Sequence, residues 1–171
     1  MKKNFPYKLD QFQKKSIEAL DAENSVLVTA PTSSGKTFVA EHAIVKALEQ
    51  SKYLYYTAPI KALCNQKFRD FSNQFGEENV GLLTGDHSIR SDSKVLVMTT
   101  EVLRNMLYSP RGVPEDLAFV VLDEIHFLED PYRGAVWEEI ILTLPKRVLI
   151  VALSATVSNA DELKDWIASV R

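Results

Sequence analysis

Residues 25–50 read SVLVTAPTSSGKTFVAEHAIVKALEQ, and this stretch decides the fold. The apolar run at 25–29 predicts a strand, and apolar residues at helical spacing predict a helix over 36–50. The loop between them ends at Gly35, where the backbone can turn because no side chain is in the way. A strand, a loop and a helix in this order indicate a repeating β–α unit and a parallel sheet.

Further short apolar runs alternate with helical patterns along the rest of the chain. We predict strands at 53–57, 80–83, 95–98, 119–123 and 147–153, and helices at 60–75, 101–108, 134–144 and from about 158–161 to 170. The nearly continuous apolar runs FVVLD and RVLIVAL are typical of strands buried on both faces. The sequence therefore predicts an α/β fold of three layers, a mostly parallel central sheet flanked by helices on both faces. Right-handed crossovers would bring the carboxyl ends of the strands to one edge, where ligands bind.

The overall composition is that of one globular domain. The chain has 171 residues, of which 46% are hydrophobic and 25% are charged. No apolar run reaches the roughly 18 residues of a transmembrane helix, so no membrane partner is expected. The single cysteine, Cys64, is consistent with a reducing, intracellular compartment. We expect a cytoplasmic protein, with the nucleus or an organelle left open, and we divide the chain into an arm and helix at 1–24 and a domain at 25–171.

The charge balance does not by itself indicate a nucleic-acid binder. Twenty Lys and Arg residues face 23 Asp and Glu residues, which gives a net charge of −3. Dedicated nucleic-acid binders usually carry a basic excess, because neutralising phosphates dominates their affinity. Either nucleic acid is not the partner, or this domain forms one side of a groove whose basic wall lies elsewhere.

The segment 30–37, APTSSGKT, matches a phosphate-binding loop at Gly35, Lys36 and Thr37, with Ala30 replacing the usual first glycine. Backbone N–H groups and the positive end of the helix dipole would face the phosphates. Lys36 supplies a charge to the β- and γ-phosphates, and the Thr37 hydroxyl can ligate Mg²⁺. The alternative interpretation is a Ser-rich turn before an ordinary helix.

Two adjacent acids follow the predicted strand FVVL. Asp123 is placed to hold Mg²⁺ through water, and Glu124 is the candidate base that deprotonates the attacking water. His126 could couple the site to a neighbouring lobe. The alternative is that Asp123 caps the next segment and Glu124 is merely exposed. Two acids at a partly buried strand end are costly to place without a partner, so the pattern favours the functional interpretation.

Ordered motifs cover nearly the whole chain: LDQFQKKSIEAL, APTSSGKT, APIKALCNQK, GLLTGD, MTTEVLRNML, DEIH, DPYRGAVWEEII and SAT. In this order they resemble the motifs of superfamily-two helicases, and within them the superkiller-type DExH RNA helicases. The resemblance implies a RecA-like P-loop NTPase domain that binds ATP and Mg²⁺, with Gln13 on the adenine edge and Tyr7 on its face. The implied cofactor-binding residues are Tyr7, Gln13, Thr32, Ser33, Ser34, Gly35, Lys36 and Thr37. The implied metal residues are Thr37, Asp123 and Glu124, and the implied catalytic residues are Lys36, Asp123, Glu124 and His126. Without the resemblance, Gln13 would be interpreted as a surface helix residue.

The resemblance also implies a face for single-stranded nucleic acid, with RNA favoured over DNA. Its residues would be Pro59, Ile60, Lys61, Gly85, Asp86, Thr99, Thr100 and Glu101. Ser154 and Thr156 would couple the nucleotide state to the nucleic-acid grip. Relatives of this kind continue into a second RecA-like lobe, so we expect this chain to be a monomeric first lobe that is nearly inactive alone. Two alternatives stay open: the lobe of a DNA-repair DExH helicase, and a non-catalytic, nucleotide-dependent RNA-binding module.

Overall fold

The computed structural model describes residues 8–31, 35–126, 134–156, 158 and 160–171. The strands are β1 Val26–Thr29, β2 Tyr53–Ala58, β3 Val80–Leu83, β4 Ser88–Ile89, β5 Val95–Thr99, β6 Leu117–Leu122 and β7 Leu149–Ser154. The helices are α1 Gln11–Asp21, α2 Thr37–Glu49, α3 Lys61–Phe75, α4 Thr100–Tyr108, α5 Gly134–Thr143 and α6 Ala160–Val170, with a short 3₁₀ helix at Glu77–Asn79. Within these ranges, no helix combines the length and apolar character needed to cross a bilayer.

The strands form one sheet in the order β1-β7-β6-β2-β5-β3-β4. Every neighbouring pair is parallel except β3 and β4, so the predicted mostly parallel sheet is confirmed. Strand β4 was not predicted. It is two residues long and exposed, which leaves no alternating pattern for the sequence to show.

Helices cover both faces of the sheet, because side chains along the central strands alternate between two apolar clusters. On β2, Leu54 and Tyr56 join a cluster with α1, α2 and α3, whereas Tyr55 packs on the opposite face with α4, α5 and α6. Helix α1 belongs to the first cluster through Leu20, which is fully buried. The predicted three-layer arrangement is therefore confirmed.

This topology lines up the segments that follow each strand along one edge of the sheet. In sheet order they come after β1, β7, β6, β2, β5 and β3. Backbone hydrogen bonds continue past the strand ends, from Ala30 N to Ser154 O at 3.3 Å and from Asp123 N to Thr57 O at 3.0 Å. Strand β6 ends at Leu122, one residue before the predicted end, so Asp123 is the first residue beyond it. All the motifs named above that follow strands therefore lie on a single edge.

Candidate functional site

The loop after β1 turns into α2 at Gly35, whose φ of +85° is a conformation that favours glycine. Behind it, the Lys36 ammonium donates hydrogen bonds to the carbonyl oxygens of Ala30 at 2.6 Å and Pro31 at 3.4 Å. Lys36 thus closes the loop onto its own backbone. The predicted residues Thr32, Ser33 and Ser34, together with Tyr7, lie outside the described residues.

Gln13 on α1 connects the first helix to this loop. Its side chain is only 5% exposed, so the interpretation of Gln13 as a surface residue is wrong. Nε2 donates to the Gly35 carbonyl at 3.2 Å, and Oε1 accepts from the Asp10 backbone N–H at 2.8 Å. The second contact caps α1. A methyl group at Gly35 would lie 2.7 Å from Gln13 Nε2, so the Gln13 side chain would have to shift from its present contact.

The Asp123 side chain is held by two hydrogen bonds, one from the neighbouring strand β2 and one from its own turn. It is buried, and Oδ2 accepts a short hydrogen bond from the Tyr56 hydroxyl. Oδ1 accepts from the Glu124 backbone N–H at 2.8 Å. Burial, followed by the charge of Asp123, raises the pKa of Tyr56 well above its usual value, so the phenol stays a donor. These two hydrogen bonds therefore fix the orientation of the carboxylate.

Glu124 and His126 form a linked pair on the same turn. Glu124 has a φ of 59°, which is uncommon for a residue other than glycine. Such backbone conformations are concentrated at functional sites. Its Oε2 lies 2.9 Å from His126 Nε2. On the other side of the ring, Nδ1 accepts from the Ala155 backbone N–H at 3.3 Å. Because Nδ1 is an acceptor, the proton of the neutral imidazole resides on Nε2 and faces Glu124.

The segment after β7 brings the predicted coupling residues to the same place. Ser154 is buried, and its hydroxyl donates to the Ala155 carbonyl at 2.7 Å. Thr156 is exposed next to it. Strand β7 lies between β1 and β6, and its end contacts both neighbours. The Ser154 carbonyl accepts from Ala30 N at the start of the phosphate loop, and Ala155 N donates to His126 in the acidic turn, residues 123–126.

Lys67 on α3 was not predicted as a site residue, although it lies within the motif APIKALCNQK. Its ammonium donates to Thr37 Oγ1 at 3.3 Å. Lys67 lies three residues after Cys64, which is fully buried, and helical spacing puts both on the face toward the sheet. This spacing is the feature of the sequence that could have identified Lys67.

A groove farther along the edge collects most of the predicted nucleic-acid residues. It encloses about 360 Å³ and is lined by Pro59, Lys61, Gly85, Thr99, Thr100, Glu101, Val102, Asn105, Val136 and Trp137. Of the eight predicted residues, Ile60 and Asp86 are not in the lining. Ile60 precedes α3 and is 40% exposed, and Asp86 pairs with Lys61 at 2.5 Å. The hydrogen bond from Lys61 is the main reason that the pKa of Asp86 is lowered.

The chemistry of the groove suits an anionic backbone. Helices α3 and α4 both begin there, and their first N–H groups have no partners within the helix. The Thr100 hydroxyl lines the groove and is buried without a hydrogen-bond partner. Lys61 adds a positive charge, which the neighbouring Asp86 partly neutralises. Asn105 and Trp137 are lining residues that the motif analysis did not assign to this surface.

The donors at the other end of the edge fit a nucleotide with Mg²⁺. The Thr37 hydroxyl and the Asp123 carboxylate are oxygen ligands of the kind Mg²⁺ prefers, and a cation, the Lys67 ammonium, already contacts that hydroxyl. In the described part of the chain, no cluster of three or more His, Cys, Asp and Glu side chains could hold a metal ion. Mg²⁺ bound with nucleotide commonly takes one or two protein ligands and fills the rest with phosphate oxygens and water.

Comparison with known families identifies the family of this chain. Residues 10–163 match the family of DEAD/DEAH box helicases. The chain belongs to this family. The helicase resemblance predicted from the motifs is therefore confirmed, and the match spans the phosphate loop, the acidic turn and the groove.

Several curated helicases are similar over nearly the whole chain. It is 49% identical to "DExH-box ATP-dependent RNA helicase DExH15 chloroplastic" of Arabidopsis thaliana, with 97% of this chain and 15% of the relative covered. It is 52% identical to "Probable helicase HelY" of Mycobacterium tuberculosis, over 97% of this chain and 18% of the relative. With human "Superkiller complex protein 2" the identity is 52%, over 95% of this chain and 13% of the relative. The chain thus spans less than a fifth of the length of these helicases.

A solved helicase confirms the fold. The structure titled "Crystal Structure of DUF1998 helicase MrfA bound to DNA" superposes with a TM-score of 0.82 at 19% identity, over 98% of this chain and 27% of that one. The predicted RecA-like α/β architecture is confirmed by this likeness, which concerns the fold alone.

Proposed function

We propose that this chain is the ATP-binding first lobe of an ATP-dependent DExH-box RNA helicase of the superkiller type. The observation that carries the proposal is the single sheet edge on which a phosphate loop, an acidic turn and an anion-binding groove lie in order. His126 joins the acidic turn to the segment after β7, since it contacts Glu124 on one side and Ala155 on the other. A nucleotide site and a nucleic-acid site on one rigid edge are what a nucleotide-driven motor requires.

At the nucleotide end, Gly35, Lys36 and Thr37 would hold the phosphates of ATP, with Thr32, Ser33 and Ser34 completing the loop. Thr37 and Asp123 would hold Mg²⁺, with Glu124 beside them, and the ion would neutralise charge developing on the phosphates. Lys36 would leave the carbonyl of Ala30 and turn toward the phosphates. Gln13 would offer its remaining amide donor to the adenine, and Tyr7 would pack on the base.

Glu124 is proposed as the general base. Its carboxylate accepts a hydrogen bond from the Nε2 proton of His126, which orients it and leaves a second oxygen for the attacking water. Ser154 and Thr156 would couple this state to the grip on nucleic acid. Ala155, which lies between them, provides the contact through which such coupling could pass.

The groove is proposed to bind the backbone of single-stranded RNA. Backbone contacts do not distinguish RNA from DNA, so the preference for RNA is supported by the names of the relatives rather than by the groove. The structural neighbour is a helicase bound to DNA. For this reason single-stranded DNA remains the alternative substrate, and the lobe of a DNA helicase the alternative function.

We further propose that a second RecA-like lobe in the same protein completes the site. The net charge of −3 supports this, because a groove with few lysines needs another basic wall. An arginine from a second lobe can be worth roughly 10³ to 10⁵ in rate. The chain alone is expected to bind nucleotide weakly and turn it over slowly, whereas a non-catalytic binding module would not need Lys36, Asp123 and Glu124 together.

The decisive experiment is steady-state ATP hydrolysis with and without single-stranded RNA. It uses this chain, the chain extended through a second lobe, and the Glu124→Gln variant of each. We expect RNA-stimulated turnover in the extended protein and none with Glu124→Gln. If the extended protein is inert while ATP still tightens RNA binding, the binding-module alternative is correct. A parallel series with single-stranded DNA decides the substrate class.

The groove is tested by a pair of lysine variants at opposite edges of the sheet. Lys61 lies in the groove, whereas Lys94 precedes β5 and pairs with Asp116 at 3.5 Å. Lys61→Ala is expected to weaken RNA binding and to reduce the slope of log affinity against log salt by about 1. Lys94→Ala should leave both values unchanged. Equal effects of the two variants would move the RNA site elsewhere.

A further inference from the structure

The contact between Lys67 and Thr37 joins α3 to the hydroxyl assigned to Mg²⁺. Lys67 is partly buried, and its ammonium donates to Thr37 Oγ1 at 3.3 Å. The two residues are separated by thirty positions and lie on different helices, α3 and α2. This contact does not cap α2. Capping would require an acceptor for the free N–H groups of the first turn, whereas here the Thr37 hydroxyl itself accepts from Lys67.

The rest of the inner face of α3 reaches the second assigned metal ligand. Phe71, one turn after Lys67, packs edge-on against the Tyr56 ring with centroids 5.1 Å apart. The Tyr56 hydroxyl in turn donates to Asp123. The face of α3 that carries Lys67 therefore contacts Thr37 directly and reaches Asp123 through Phe71 and Tyr56.

A lysine ammonium and Mg²⁺ cannot share this position without strong repulsion. The metal would lie about 2.0–2.1 Å from the Thr37 oxygen. An ammonium at its observed distance from the same oxygen would be only a few ångströms from a dication, in a partly buried site where screening is weak. Binding of Mg²⁺ to the Thr37 oxygen is therefore expected to displace the ammonium.

We propose that the Lys67 ammonium occupies the cation position beside Thr37 Oγ1 that Mg²⁺ takes when it binds. It holds the Thr37 hydroxyl and the phosphate side of the site in the metal-free lobe, and Mg²⁺ displaces it. This inference rests on the proposed nucleotide function. It assigns Lys67 a positioning role, and it predicts that Lys67 supports nucleotide binding in the absence of Mg²⁺ more than in its presence.

The test compares the dissociation constant for ATP in EDTA with that in excess Mg²⁺, measured by isothermal titration calorimetry on the 171-residue chain. The ratio of the two constants measures how much Mg²⁺ improves binding. Lys67→Met is expected to raise this ratio at least about threefold, since it removes the cation that substitutes for the metal. Lys67→Gln, which keeps a hydrogen-bond donor without the charge, should raise it as well.

Two controls separate charge from structure. Lys67→Arg keeps the charge and should leave the ratio near the wild-type value. Lys46→Met removes a lysine that donates to the Leu20 carbonyl at 3.0 Å on α1, far from the loop, and should not change the ratio. Circular dichroism melting of each variant checks that it is folded.

The outcomes are distinct. An unchanged or lower ratio in both Lys67→Met and Lys67→Gln, with the two constants shifting equally, would show a structural role and overturn the proposal. If Lys36→Met does not weaken ATP binding in either buffer, the proposed nucleotide function itself has failed, and the inference about Lys67 fails with it. A raised ratio together with weakened binding in Lys36→Met supports both.

Discussion

The Tyr56 hydroxyl donates a hydrogen bond to Oδ2 of Asp123 across 67 positions of sequence. Tyr56 lies on β2 and is fully buried, and Asp123 follows the neighbouring strand β6. A buried carboxylate without this donor would lose a charged hydrogen bond in a site with little water to replace it. The relationship therefore makes Tyr56 a support for the residue assigned to the metal.

The first prediction concerns this hydrogen bond. Tyr56→Phe is expected to lower the free energy of unfolding by about 1–3 kcal/mol, because it leaves one Asp123 oxygen without its donor. Chemical denaturation measures the change. Tyr55→Phe is the matched control, since Tyr55 is adjacent, similarly buried and directed to the opposite face of the sheet. Equal losses in the two variants would assign the effect to tyrosine burial in general.

The second prediction concerns alkaline pH. Burial is the main reason that the pKa of Tyr55 is raised to about 12 in the folded chain. In the unfolded chain the same phenol has a pKa near 10. The resulting stability is fully present below pH 10 and is lost as the pH rises toward 12, because only the unfolded state releases the proton there. Each such tyrosine lowers the free energy of unfolding by up to about 1.4 kcal/mol per pH unit in this window.

Denaturation series at pH 9, 10, 11 and 12 measure this slope. In Tyr55→Phe the decline between pH 10 and 12 should be shallower by up to about 1.4 kcal/mol per pH unit. Identical slopes in the wild type and the variant would mean that Tyr55 ionises in the folded chain as it does in the unfolded one.

The third prediction concerns Gly35. Gly35→Ala is expected to destabilise the chain by about 1–3 kcal/mol, because φ there is +85° and the new methyl would lie 2.7 Å from Gln13 Nε2. Nucleotide affinity should fall as well. Gly85→Ala is the control for stability, since a methyl group at Gly85 meets nothing within 4 Å, and its effect should stay within about 0.5 kcal/mol. Thermal melting distinguishes the two, and a stable Gly35→Ala would mean that the loop adjusts freely.

The fourth prediction concerns His126, which bridges Glu124 and Ala155. In the two-lobed protein, His126→Ala should reduce RNA-stimulated hydrolysis about two- to thirtyfold, the range for removal of a coupling residue. Nucleotide affinity should change little, since His126 does not belong to the phosphate loop. His42→Ala is the control, because His42 on α2 pairs at 3.0 Å with Asp21 at the end of α1. A loss of nucleotide binding in His126→Ala, rather than of turnover, would contradict the coupling role.

The sequence by itself determined the order of elements, the family and the edge of the sheet at which the motifs lie. Apolar periodicity separates strands from helices, and parallel strands necessarily bring the segments after them to one side. Gly35 and Asp123 could therefore be placed from the sequence, and the resemblance of the motifs placed six of the groove residues. Strand β4 could not, because two exposed residues carry no periodicity.

Only the tertiary structure decided which side chains meet across that edge. Gln13 on Gly35, Lys67 on Thr37 and Tyr56 on Asp123 join residues separated by 22, 30 and 67 positions. Periodicity shows which face of an element a residue occupies, but the partner depends on how the packed elements are aligned along the sheet. Gln13 shows the consequence: its helical position is compatible with solvent, and packing of α1 against the loop buries it.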